Sequence, residues 1–160
     1  MHYLIDGYNF LFRILSLKKK SLEKSRESLI EILSAELKDL KGDISLIFDS
    51  AQQILDVPQT TILEHLQIVY APKGLSADQY ILELVEQCCN PKTIKVVTSD
   101  GDLARQCRYL RAPTLTIEEF IIFILKKKKK KVETKPSYSP PKWELERLLK
   151  IFEHRFKADS

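Results

Sequence analysis

Glycine is scarce in this chain: 160 residues carry four, too few for a phosphate cradle built from backbone amides. Neither G-x-x-x-x-G-K-[ST] nor G-x-G-x-x-G occurs, so P-loop and dinucleotide-binding chemistry have no sequence support. Cysteine is sparser still. Cys88, Cys89 and Cys107 form an odd set without C-x-x-C spacing, and His2, His65 and His154 are scattered without an H-x-x-x-H pair. A zinc site or a cysteine-histidine nucleophile has little to build on, and packing is the expected role of the adjacent Cys88 and Cys89. The longest apolar run, residues 120–125, falls well short of the roughly 18 residues that a membrane-spanning helix needs. No basic region followed by an apolar core and a small-residue cleavage site opens the chain, and a cytoplasmic protein is the expectation.

What is present suits one soluble domain: 44% hydrophobic and 30% charged residues, enough to bury a single core. The net charge of +4 is too small to imply a polyanion partner by itself, but its distribution is uneven. Six lysines run from 126 to 131 and three from 18 to 20, which are either solvated faces or contacts for a phosphate backbone.

Apolar runs of β type alternate with longer stretches of helical period, the pattern of a parallel sheet covered by helices. Strands are expected at residues 2–6, 44–49, 65–70 and 94–99, with a weaker one at 114–116. Within 21–40, Leu22, Leu29, Leu33, Leu37 and Leu40 recur at helical spacing. Residues 50–63 hold Pro58 and little apolar period, and a long connection is expected there. Residues 76–87 form a helix announced by Ser76 and Gln79, an S-x-x-Q capping box. Shorter helices are expected at 102–110 and 117–127. The organisation is therefore one α/β domain over 1–125, a lysine- and proline-rich linker over 126–142, and a C-terminal amphipathic helix over 143–160. That last helix carries Leu145, Leu148, Leu149, Ile151, Phe152 and Phe156, and its role is open: it packs on the domain, joins a second copy or serves a partner.

Three of the expected strands end in aspartate, "YLID" at Asp6, "LIFD" at Asp49 and "VVTSD" at Asp100. Asp78 arrives in the first turn of the capped helix, and Asp102 follows Asp100 by two residues. Singly, each has an ordinary explanation as a turn or cap residue or as a partner for a helix dipole. Jointly, that many acids at the carboxyl edge of a parallel sheet repel one another unless a cation sits among them. Carboxylate oxygens without histidine or cysteine favour Mg2+ or Mn2+. A divalent ion in such a cleft suits phosphodiester hydrolysis.

The stretches "YLIDGYNFLF", "LIFDS", "SADQYI" and "VVTSDGDL", in this order and over about residues 2–125, resemble the YacP-like branch of the NYN nucleases, relatives of the PIN-domain ribonucleases. The resemblance implies a three-layer α/β/α sandwich with a mostly parallel central sheet and Mg2+ or Mn2+ bound by aspartates; the lysine run and the helical tail after Val132 are not part of the family pattern. By motif, Asp6, Asp78 and Asp100 match the family acids, and Asp102 would join them in binding metal or orienting water. Asn9, Asp49, Thr98 and Ser99 would support that set from behind. It further implies an endoribonuclease acting on single-stranded RNA, of a branch whose best-known type cuts messenger RNA in the ribosomal A site. Contacts to RNA are expected from Lys73, Arg105, Arg108 and Arg111 near the acidic edge, from Arg13, and from Lys126, Lys127 and Lys128. The chain departs from the family pattern in "GLSAD", where Leu75 and Ser76 stand in place of an acid and a threonine. A rival expectation is a non-cleaving RNA- or ribosome-binding module that keeps the fold.

Overall fold

A computed structural model describes residues 1–14, 22–50, 57–130, 146, 147, 149–151, 153 and 154. The lysines at 18–20, the middle of the 50–63 connection, most of the expected linker, the Lys128 side chain, and Trp143, Leu145, Leu148, Phe152 and Phe156 lie outside the described residues.

Strand β1 (His2–Asp6) lies between two parallel neighbours, β2 (Asp43–Phe48) and β5 (Ile94–Val97). Strand β4 (Leu66–Tyr70) continues the sheet beside β2 and β6 (Thr114–Leu115) beside β5, again in parallel. Strand β3 (Gln59–Leu63) pairs antiparallel with β4, and the six-stranded order is β3-β4-β2-β1-β5-β6.

Successive side chains of a strand point to opposite faces, and both faces here are apolar. Tyr3, Ile5, Leu46, Phe48 and Val97 share one core with the helices α1 (Gly7–Ile14), α2 (Leu22–Glu36) and α5 (Ile117–Lys130). Leu4, Ile47, Val69 and Val96 share the other with α3 (Ala77–Gln87) and α4 (Gly101–Tyr109). The result is the three-layer α/β/α sandwich. No described helix is long and apolar enough to cross a membrane. Cys107 is fully buried in the second core, where burial pushes its thiol up to about 11 and leaves it a packing residue.

Two elements differ from the sequence expectation. The first is α1, for which no helix was expected: it starts directly after Asp6 and forms because Phe10, Leu11 and Ile14 recur on one face. Each of these buries almost completely, worth about 1.5–3 kcal/mol per side chain. Gly7 is required by close packing: a Cβ there would lie 2.5 Å from Phe48 Cε1 and 2.9 Å from the Ile47 carbonyl oxygen. We expect Gly7→Ala to destabilise the fold by about 1–3 kcal/mol. Urea unfolding would show this as a lower midpoint at constant m-value, and an unchanged midpoint would mean that the Phe48 ring yields freely.

The second difference is β3, which occupies part of the expected connection. Its five residues are all exposed, so no apolar alternation marks it in the sequence. It turns into β4 through Glu64 and His65, with Glu64 at φ 55 in the left-handed region.

Helix α5 runs three residues beyond its expected end and takes the first lysines of the run into helical backbone. Beyond it, the described residues between 146 and 154 are helical, and Leu149 packs against the first core.

Candidate active site

The connections that follow the neighbouring strands β1 and β5 part to opposite faces, toward α1 and toward α4. Such a point leaves a crevice beyond the carboxyl ends of the strands, where loops and helix N-termini converge. Asp6 closes β1 at this crevice and is 4% exposed. Its carboxyl is hydrogen-bonded to that of Asp78, and Asp78 in turn to that of Asp100. The expected triad is thus brought together from β1, α3 and the end of β5.

Each acid is delivered by local structure. Ser76 caps α3, with its hydroxyl accepting from the Gln79 N–H at 3.2 Å and the Gln79 side chain accepting from the Ser76 N–H at 3.0 Å. That box fixes Asp78 in the first turn. Asp49 Oδ1 accepts from the Ala77 N–H at 2.6 Å, tying the end of β2 to the same helix start. Asp100 caps α4, with Oδ1 accepting from the N–H groups of Asp102 at 2.9 Å and Leu103 at 3.3 Å. Asp100, not Asp102, is therefore the cap of this helix.

A polar web holds the floor. Asn9 donates its backbone N–H to Asp6, and its Oδ1 accepts from the Ser99 N–H at 2.7 Å. Thr98 is 1% exposed; its hydroxyl lies 3.3 Å from Asp6 Oδ2 and accepts from the Asp100 N–H at 3.1 Å. Asn9 and Thr98 thereby lock the end of β5 to the start of α1. Glu118 completes the web without having been foreseen. It accepts from the Ser99 hydroxyl at 3.0 Å and pairs with Arg13. The sequence held a signal for it. Thr116 and Glu119 form the capping box of α5, which leaves a second glutamate in the same turn for another task.

The electrostatics follow from crowding. Burial, then the neighbouring charge of Asp78, pushes the Asp6 carboxyl up to about 8. Burial also raises Asp78, with the charges of Asp100 and Asp49 adding to it. Burial pulls Glu118 upward too, but hydrogen bonds from its own backbone N–H, Arg13 and Ser99 outweigh it and hold the carboxyl below its ordinary range. Near neutral pH a proton on Asp6 therefore stands in for the positive charge that the acids lack. The donors are hard oxygens and in kind fit a divalent cation of the Mg2+ class. Among the described residues, however, no group of three or more acids, histidines or cysteines is arranged to hold a metal ion.

Other expected residues are spread more widely. Asp102 is 77% exposed on its side chain and pairs with Arg105 at 2.8 Å, at the rim of the crevice. Lys73 is exposed between β4 and α3, and Arg13 reaches the edge through Glu118. Arg108 and Arg111 lie in the last turn of α4 and just beyond it; Arg108 donates to Thr114 at 3.0 Å, and Thr114 pairs with Val96, one residue short of the carboxyl end of β5. Lys126 and Lys127 likewise lie at the far end of α5, with the Lys127 ammonium 4.8 Å from the Phe123 ring centroid.

The profile of the YacP-like NYN domain matches residues 3–155. The chain belongs to the YacP-like NYN family. The match runs past residue 125 and takes in the tail on which Leu149 lies. No curated protein matches the chain. Among solved structures, it is similar to a W164L mutant of Rae1 (YacP) from Bacillus subtilis, with 18% identity and a TM-score of 0.60 over all of both chains. It is also similar to Rae1 (YacP) of the same organism, with 22% identity and a TM-score of 0.60 over 82% of this chain and 79% of that one. At these identities the likeness establishes the fold, which is that of the YacP-like NYN proteins.

Proposed function

We propose that this YacP-like NYN protein is a cytoplasmic, metal-dependent endoribonuclease that cuts single-stranded RNA, with messenger RNA on the ribosome as its working substrate. The observation that carries the reading is the convergence of the buried Asp6 with the half-buried Asp78 and Asp100 in one cluster at the switch point of the sheet. Packing three acids together costs stability, and a fold gains nothing from it unless positive charge arrives.

Asp6, Asp78 and Asp100 would hold Mg2+ or Mn2+. Bound there, such an ion activates water and neutralises charge building on the phosphodiester oxygens. The chain's own residues do the rest. Thr98 and Asn9 fix the Asp6 carboxyl, and Asp49 fixes the helix start that carries Asp78. Asp102, which accepts from Arg105, would orient a water at the rim. Lys73, Arg105 and Arg13 supply positive charge on the approach for a polyanion.

A second reading has one observation in its favour: the described acids are not arranged as a finished metal shell. It is a binding module for RNA or the ribosome that does not cut. The two part in a single assay of the purified chain on labelled single-stranded RNA and, in parallel, on translating ribosomes. Internal cleavage that requires Mn2+ or Mg2+ and stops with chelator is expected. Salt-sensitive binding without cleavage on either substrate would establish the module instead.

A further inference from the structure

One group of side chains at the carboxyl ends of the strands plays no part in the chemistry above. Phe48 ends β2 and Tyr70 ends β4, and their rings stack with centroids 5.7 Å apart. Tyr8 meets the Phe48 ring edge-on at 5.0 Å and is itself stacked with Phe12 at 6.1 Å. Arg26 of α2 ties these rings together. Its guanidinium lies 5.4 Å from the Tyr70 centroid and 5.9 Å from that of Phe48, and Nη1 donates to the Tyr8 hydroxyl at 3.3 Å.

A row of rings thus runs outward along the edge. Its inner members seal the first core, while its last member, Phe12, is 50% exposed. A lone exposed phenylalanine is ordinary on a protein surface. This one differs in two respects. Tyr8 backs it, and the Tyr8 hydroxyl is itself held by Arg26, so the ring sits on a fixed support. The row also passes next to the start of the acidic site, because the Phe48 ring packs on Gly7, the residue after Asp6.

The charges choose the occupant. Glu23 and Glu27 act on Tyr70, and Glu23 on Arg26, so a phosphate would meet repulsion beside the guanidinium. An uncharged aromatic face meets none. We infer that Phe12, backed by Tyr8, is a stacking platform for a nucleobase of single-stranded RNA, adjoining the nucleotide whose phosphodiester lies at Asp6, Asp78 and Asp100. This placement of the strand rests on the proposed function. Stacking on an aromatic face is tolerant of base identity, so the platform selects unpaired strands more than sequences.

The test reads binding without turnover. A short labelled single-stranded RNA is titrated in chelator against the wild-type chain, Phe12→Ala and Phe12→Trp. An abasic oligomer of equal length and charge, with tetrahydrofuran in place of each nucleoside, is titrated alongside. Phe12→Ala is expected to weaken RNA binding by about tenfold, Phe12→Trp to match or exceed the wild type, and all three to bind the abasic oligomer alike. Equal RNA affinity of Phe12→Ala and wild type would overturn the platform, as would an equal loss on the abasic oligomer. The expected pattern in a chain that cuts under no metal condition would uphold the platform and sink only the nuclease. A wild-type chain that binds no single-stranded RNA would end both.

Discussion

Asp78→Asn is expected to lower metal-dependent RNA cleavage on the order of a thousandfold or more, while the same RNA binds equally or more tightly. The two outcomes come from one change. Asparagine keeps the shape of the side chain and loses its negative charge, so a ligand for a divalent ion disappears together with a source of repulsion toward phosphate. The fold should survive, since Asp78 is not the residue that caps α3; Ser76 and Gln79 do that. Single-turnover cleavage in Mn2+, paired with binding in chelator, measures both quantities, and circular dichroism checks the helix content. A variant that cuts at the normal rate would remove Asp78 from the metal site. A variant that loses binding in step with cleavage would place it in substrate contact instead.

Asp6→Asn is expected to stabilise the chelated protein, and more so as pH rises. The Asp6 carboxyl titrates at about 8 in the fold, against about 3.9 in an unfolded chain. An acid whose folded pKa is raised favours folding in its neutral form. That contribution is complete below about pH 4, where both states are protonated, and is lost as pH climbs through about 8. Above that value a charge stands buried beside Asp78, which faces Asp100 and Asp49 as well. Removing it should recover about 2–4 kcal/mol at pH 8 and little at pH 5. Urea midpoints of wild type and variant at the two pH values give the comparison. Equal differences at both would show that Asp6 ionises without penalty in the fold. Mg2+ or Mn2+ should raise the wild-type midpoint at pH 8 and leave the variant nearly where it was.

The frame of this fold was legible because its strands are buried on both faces and stand out as continuous apolar runs between turn signals. The acids were legible for a related reason. A charged residue directly after such a run, as in "YLID" and "LIFD", has nowhere to sit but the carboxyl edge. The capping box of α3 was visible as Ser76 and Gln79 and is realised as such. What stayed hidden was set by partners distant in sequence. Gly7 resembles a turn residue until Phe48 is seen against it, and α1 is too short for its apolar face to declare itself. Glu118 becomes part of the site only through Ser99 and Arg13. Arg108 and Arg111 were expected near the acidic edge from the strand and helix pattern, which does not show that Arg108 is engaged by Thr114 of β6.

Strand β3 has a consequence beyond the site. Its inner side is paired with β4, and among the described residues no strand pairs with its outer side. The residues Thr60, Thr61 and Ile62 are of the kind that favour extended backbone, and Ile62 is 66% exposed. An edge strand flanked by such side chains is a template on which another polypeptide in extended form can add itself. At the opposite border the final strand is two residues long and offers no comparable length. Self-association of this protein in concentrated solution would therefore be directional, growing from the β3 border, and a charged side chain in place of Ile62 would be the means of suppressing it.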